Sequence, residues 1–280
     1  MMMDSTANQD IVFPTQCQKN LAKQDAINAL QQWRIWTLLA YQDIKLRYRR
    51  SILGPFWITL SMAVTVYSMG FLYAHLFHTD MQNYYPFLVA GMLGWSFISS
   101  AISELTDTFT TSDGLMKQIK LPYTLYVHRI ASRNMIIFFH NLIVMLPILL
   151  IFHQVAKVNF NTLLLIPNLL LIYFNTITFG LILAIIGARY RDISQIIKNL
   201  IQVAFFVTPI MWNPAVLPPQ YQPYMYLNPF YIFVELIREP LCGSFTTWPI
   251  YGITLVITLV GFVICAKLFS RYRSRIIYWL

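Results

Sequence analysis

Gln42-Asp43-Ile44-Lys45-Leu46-Arg47-Tyr48-Arg49-Arg50-Ser51-Ile52-Leu53-Gly54-Pro55-Phe56-Trp57 decides how this chain folds. Four cations, Lys45, Arg47, Arg49 and Arg50, fall within six residues. Gly54-Pro55 follows, and an apolar run long enough to cross a bilayer starts at Phe56. Proline lacks a backbone donor and holds φ fixed, so the pair predicts a sharp turn. Lys and Arg heads beside an apolar run sit among anionic lipid phosphates on the cytoplasmic side. The stretch reads as a helix on the inner membrane face that turns into a first span.

Composition agrees. Of 280 residues, 57% are hydrophobic and 11% charged, with mean hydropathy +0.55. A soluble domain carries about 25% charged residues. The deficit points to an all-α polytopic membrane protein, because helices satisfy their own backbone bonds in lipid. Six spans are predicted within a membrane domain at 54–270: about 56–77, 85–105, 129–152, 162–188, 196–212 and 249–269. Residues 29–53 read as an amphipathic interfacial helix, with Trp33, Trp36 and Tyr41 at headgroup depth. Residues 1–28 are expected to be a polar, mobile cytoplasmic tail without a cleaved signal, and 271–280 a basic tail.

Charge sets the expected orientation. The N-terminal segment holds Lys19, Lys23, Arg34 and the four cations above. Lys117, Lys120, Arg129 and Arg133 surround one predicted inner loop, and Arg189, Arg191 and Lys198 the next. Lys267, Arg271, Arg273 and Arg275 follow the last span. Only Lys157 and Arg238 fall outside, which predicts both termini in the cytoplasm. The formal charge of +9 is absorbed by lipid and topology. Nucleic acid is not an expected partner, because the basic residues flank spans instead of covering one face.

Several chemistries have no residues to carry them. There is no G-x-x-x-x-G-K-[ST] phosphate loop, so no ATP hydrolysis is expected of this chain. Cys17, Cys242 and Cys265 are scattered, as are His75, His78, His128, His140 and His153, so no metal or catalytic cluster is expected. Glu104 and Asp107 are the carboxylates near a span, and both sit at its inner end. A proton-driven carrier usually needs an ionisable group deep in the bundle. Energy is therefore expected from a partner.

The opening string Gln42-Asp43-Ile44-Lys45 through Leu53-Gly54-Pro55-Phe56-Trp57 resembles the signature of ABC-2 type permeases that export bacterial O-antigen, capsule or teichoic acid. The resemblance implies a homodimer of this chain forming one conduit. It also implies two copies of a separate cytoplasmic ATPase, which binds ATP and Mg, and outward movement of a lipid-linked polysaccharide, O-antigen foremost. The setting is the bacterial inner membrane. The motifs are specific for the family and not for its cargo. An ABC-2 exporter of drugs or lipids shares the fold. An ion-coupled transporter would depend on Glu104 or Asp107, and a scaffold would transport nothing.

Three groups of candidate residues follow. Asp113-Gly114-Leu115 with Lys117, Lys120 and Pro122 resembles the first segment that couples such permeases to their ATPase, with Asp113 expected as the N-cap. Arg189-Tyr190-Arg191-Asp192 resembles the second. An ordinary inter-span loop and positive-inside anchoring are the plain readings of the two. Thr208-Pro209 and Asn228-Pro229 resemble the end of span 5 and a following motif near the outer gate. The Pro-rich, aromatic segment 213–247 suits short re-entrant or interfacial helices. Its gate candidates are Tyr221, Tyr224, Asn228, Phe230, Tyr231, Glu235 and Arg238, with a local ion pair as the plain reading of the last two.

A sugar conduit should combine aromatic faces with hydroxyl and amide donors. Span 1 offers Ser61, Thr65, Tyr67 and Phe71. Span 2 offers Trp95, Ser96, Ser100 and Ser103, and span 5 offers Gln202, Phe205, Phe206 and Trp212. The same residue types also pack helices in lipid and form interfacial belts, so lining and packing both stay open.

Overall fold

The computed structural model describes residues 15–76, 78–152 and 158–280. Lys157, His153 and residues 1–14 of the expected tail lie outside them. Among the described residues two helices precede the first span, α1 (Thr15–Gln31) and α2 (Trp33–Arg47). The span region holds α3 (Phe56–Leu76), α4 (Met81–Thr106), the short α5 (Thr108–Thr111) and α6 (Asp113–Gln118), α7 (Tyr123–Asn141), α8 (Met145–Ile151) and α9 (Leu165–Arg189). It ends with α10 (Ile193–Val207), α11 (Pro229–Leu241), α12 (Trp248–Tyr272) and α13 (Ile276–Trp279). Among the described residues five helical stretches are long and apolar enough to cross a membrane: Phe56–Leu76, Met81–Thr106, Tyr123–Ile151, Phe160–Arg189 and Trp248–Trp279. The chain is a polytopic all-α membrane protein.

The predicted fifth span differs. α10 has 15 residues, which at 1.5 Å each gives about 22 Å, short of a 30 Å hydrocarbon core. The helix stops at Val207 because Thr208 turns extended ahead of Pro209. The chain nevertheless runs the length of α4. At one end Ser194 Oγ donates to Asp107 (2.9 Å); at the other Tyr84 Oη donates to the Met211 carbonyl (2.7 Å).

α4 is the hub, buried along most of its length and packed against α3, α7, α9, α10 and α11. Its Gly91 faces Arg238 of α11, and a Cβ there would collide with the guanidinium. The outer faces of α3 and α12 keep Val64, Leu72, Leu255 and Leu259 exposed. Apolar side chains on an outer face suit lipid.

The N-terminal expectations need correction. Residues 15–31 form a helix, so the polar tail does not extend to residue 28. Lys19, Asn20, Lys23, Gln24 and Asn28 face out, while Ala22, Asp25 and Ala29 are buried against α7 and α12. The amphipathic segment also ends earlier than residue 53: α2 stops at Arg47, and Gly54 takes φ +56° in the turn before Pro55. Trp33 and Tyr41 are exposed, whereas Trp36 turns inward and stacks on His128 at 5.3 Å. The third span begins at Tyr123 instead of residue 129, because Pro122 sets the helix start.

Candidate functional site

A groove of about 470 Å³ runs between α4 and α10. Trp95 and Phe205, with ring centroids 5.6 Å apart, form an aromatic wall, and Phe206 extends it. Ser99, Ser100, Ser103 and Gln202 supply hydroxyl and amide groups. Ile201 and Glu104 complete the lining. The edge of Phe230 meets Trp95 at 5.7 Å, so the groove's aromatic end touches α11. Trp95, Ser100, Ser103, Gln202, Phe205 and Phe206, all expected from sequence, meet here. Ser99 was missed although it stands four residues before Ser103 on the same helix face.

The other lining candidates are elsewhere. Ser61, Thr65, Tyr67 and Phe71 lie on α3 and do not line the groove. Thr65 Oγ1 returns to the Ser61 carbonyl (2.8 Å), and Tyr67 Oη donates to the Val144 carbonyl (2.6 Å). Ser96 lends its carbonyl to Ser99 (3.3 Å). Trp212 Nε1 reaches back to the Phe206 carbonyl (3.4 Å).

Among the described residues lining the groove Glu104 alone is charged, and it is held. Its Oε2 accepts from Arg133 (2.9 Å) and Asn134 (2.6 Å), and its Oε1 from Arg47 (3.3 Å). Asp43 of the opening motif accepts from Arg129 Nε (2.8 Å) and Arg133 Nη1 (2.9 Å). The two acids thus bind α2, α4 and α7 into one network. Sequence reading assigned these arginines to topology alone. The signal available was Asp43, an acid within a basic run. Lys45, Arg49 and Arg50 are exposed and form no ion pair among the described residues.

The first inner segment is helical over α6, but Asp113 does not cap it. Ser112 occupies the cap position, and the Asp113 carboxylate takes Lys117 Nζ at 2.8 Å. Gly114, Lys117 and Lys120 are exposed; Leu115 and the buried Met116 anchor the inner side. Pro122 is the cap residue of α7. The cap contact comes from Asp25, which sequence reading missed. Its carboxylate accepts from the Tyr123 and Thr124 amides (3.1 and 3.0 Å), Thr124 Oγ1 (2.8 Å) and Arg273 Nε (3.0 Å). In the second segment Arg189 lies over the Trp279 ring at 5.5 Å, and Arg191 and Asp192 are exposed.

At the opposite end Asn228 caps α11, its Oδ1 accepting from Phe230 (3.0 Å) and Tyr231 (3.4 Å). Its Nδ2 donates to Thr208 Oγ1 (3.0 Å), so the Thr-Pro and Asn-Pro motifs meet. Tyr221 and Tyr224 are exposed. Glu235 and Arg238 form the local ion pair that is their plain reading from sequence. At 4% and 3% exposure they pair with each other inside the fold. They stand at i and i+3 on the α11 face that packs on α4. Arg238 Nη2 also donates to the Pro209 carbonyl (2.7 Å), and its Cζ lies 4.0 Å from the Phe87 ring centroid.

Among the described residues no group of three His, Cys, Asp or Glu could hold a metal. The arrangement offers stacking faces, hydroxyls and a neutralised carboxylate, which suits binding and passage.

Known proteins resemble this chain. The family described as ABC-2 type transporter matches residues 34–241. The O-antigen export system permease protein RfbA of Myxococcus xanthus is 25% identical over 190 residues, covering 66% of this chain and 71% of that protein. Its counterpart of the same name in Klebsiella pneumoniae is 21% identical over 245 residues, 85% of this chain and 93% of that protein. The polysialic acid transport protein KpsM of Escherichia coli is 24% identical over 245 residues, 85% and 92% respectively. With its opening motif, both inner segments and the α10–α11 region inside the matched range, this chain belongs to the ABC-2 type transporter family.

Proposed function

We propose that this chain is the permease of an exporter that moves a lipid-linked polysaccharide, O-antigen foremost, outward across the bacterial inner membrane. The observation that carries the reading is the groove between α4 and α10. Trp95 and Phe205 offer faces to the C–H side of sugar rings, and Ser99, Ser100, Ser103 and Gln202 offer groups to their hydroxyls. Its single carboxylate is occupied by Arg133 and Asn134, so no free charge would trap a passing neutral chain. The names of the similar permeases support glycan cargo.

The fixed Glu104 speaks against an ion-coupled carrier, whose carboxylate must gain and lose its ion. Energy comes from a separate ATPase, which binds ATP and Mg and docks on α6 and on Arg189, Arg191 and Asp192. Two copies of this chain and two of the ATPase form the exporter. Both termini are cytoplasmic; the Asp25–Arg273 bond supports this by joining the N-terminal helix to the C-terminal end of α12. Lys45, Arg49 and Arg50, without acidic partners among the described residues, face the anionic leaflet.

Deleting the chain tests the reading. Surface glycan should disappear, and lipid-linked polymer of the same composition should accumulate in the cytoplasm. Normal surface glycan without internal polymer would sink the polysaccharide assignment and favour a drug or lipid cargo.

A further inference from the structure

The start of α7 is capped from elsewhere in the chain. Its N-cap residue is Pro122, which has no side-chain acceptor for the free amides of a first helical turn. Asp25, 98 residues before Tyr123, supplies one. Its carboxylate takes the Tyr123 and Thr124 amides and the Thr124 hydroxyl, with only 3% of the residue exposed. Negative charge at a helix N-terminus is favourable, and loss of such a cap lets the first turn fray.

The same carboxylate reaches the other end of the chain. Arg273 donates Nε to it at 3.0 Å and lays its guanidinium 5.4 Å from the Tyr123 ring centroid. Six residues on, Trp279 lies under Arg189 of the second inner segment. One acid thus joins α1, the first turn of α7 and the C-terminal segment that contacts Arg189. Beside it a cavity of about 280 Å³ separates α1 from Lys120 and Leu121. The link between α6 and α7 overhangs open space and is fastened at its α7 end.

We infer that Asp25 is the positioning residue that makes the α6–α7 junction stiff enough to pass a push on α6 into the spanning helix. This rests on the reading of α6 as the ATPase-docking segment. A frayed first turn would absorb a displacement of α6. A capped turn, tied through Arg273 to the C-terminal segment, transmits it to α7 and α12 together.

The test uses the whole complex, reconstituted with its ATPase, in a chain whose Cys17, Cys242 and Cys265 are replaced by Ala. Gln118→Cys on the exposed side of α6 reports ATPase docking by cross-linking. Asp25→Ala removes the cap. Asp25→Asn is milder, keeping one acceptor for Thr124 and losing the charge facing Arg273. Both should preserve the cross-link and ATP hydrolysis within about twofold, while glycan exported per ATP falls about tenfold in Asp25→Ala and by less in Asp25→Asn. Arg273→Gln should reproduce part of that fall, and Arg273→Lys should restore it. A cross-link with unchanged export per ATP in both Asp25 variants overturns the inference alone. No cross-link in the parent overturns the docking reading, and the inference with it. Loss of the assembled complex in both variants reduces Asp25 to a folding role and also overturns it.

Discussion

The two ends of the bundle are held by different chemistry. Among the described residues, seven of eight ion pairs lie at the end carrying α2, α6 and the start of α7. The eighth, Glu235–Arg238, lies at the other end. At the first end acids and cations share partners: Asp43 has two arginines, Glu104 has two arginines and an asparagine, and Arg133 serves both acids. At the second end one arginine is buried with Glu235, and Glu239 lies beside them. The other contacts described there are Asn228 to Thr208, Tyr84 to Met211, Asn159 and Asn161 to the Gly243 carbonyl, and Gln82 and Asn83 to the Asp80 carboxylate. A shared network degrades gradually when one member is lost, whereas a single buried pair fails at once.

The sharpest way to break this contrast is Arg238→Ala. The substitution leaves the Glu235 carboxylate buried beside α4 and strips the Pro209 carbonyl of its donor. An unpaired buried charge costs about 3–5 kcal/mol. Thermal unfolding of the purified protein should show that loss, and Glu235→Gln combined with Arg238→Met should recover much of it. A loss below about 1 kcal/mol would mean that the outer end is not concentrated on this pair.

Arg133→Gln is the matching test of the shared end. Asp43 would keep Arg129, and Glu104 would keep Asn134 and Arg47. The arginine is largely but not fully buried, so a charge-assisted bond is discounted to about 1–2 kcal/mol. The double variant Arg129→Gln/Arg133→Gln should lose more than the sum of the singles, because Asp43 is then left without either arginine. Simple additivity in the unfolding midpoints would show two independent contacts instead of a network.

What could be read in the sequence follows the same division between local and distant interactions. Long apolar runs mark α3, α4, α7–α8, α9 and α12, because lipid requires apolar side chains over a whole span. Ser100 and Ser103 were visible as groove residues because helical spacing puts them on one face. α1 was not visible: its mean composition is polar, and its fold-determining residue is Asp25, whose partners lie 98, 99 and 248 residues away. The role of Asp43 and Glu104 was hidden for the same reason. Glu235 and Arg238 sit in the Pro-rich segment expected to form short helices, and their local pairing is legible in the sequence; their burial is not. That segment folds into a helix whose charged face turns inward, which depends on the room left by Gly91. The shortfall of α10 comes from Pro209, a break that hydropathy alone does not register.

The smallest expected effect lies in α6, and it separates stability from transport. Lys117 pairs with Asp113 at i, i+4, both partly exposed. Exposed pairs of this kind contribute about 0.3–0.5 kcal/mol, so Lys117→Ala should barely move the unfolding midpoint. The Met116 anchor beneath remains intact, since its burial does not involve the pair. If α6 docks the ATPase, the same variant should still weaken that docking, because it removes an exposed cation from the contact surface and leaves Asp113 unpaired there. The expected result is an unchanged midpoint with reduced co-purification of the ATPase and reduced glycan export. A midpoint shift above about 1 kcal/mol would make α6 part of the network that stabilises this end. An unchanged midpoint with full docking and export would make it an ordinary inter-span loop.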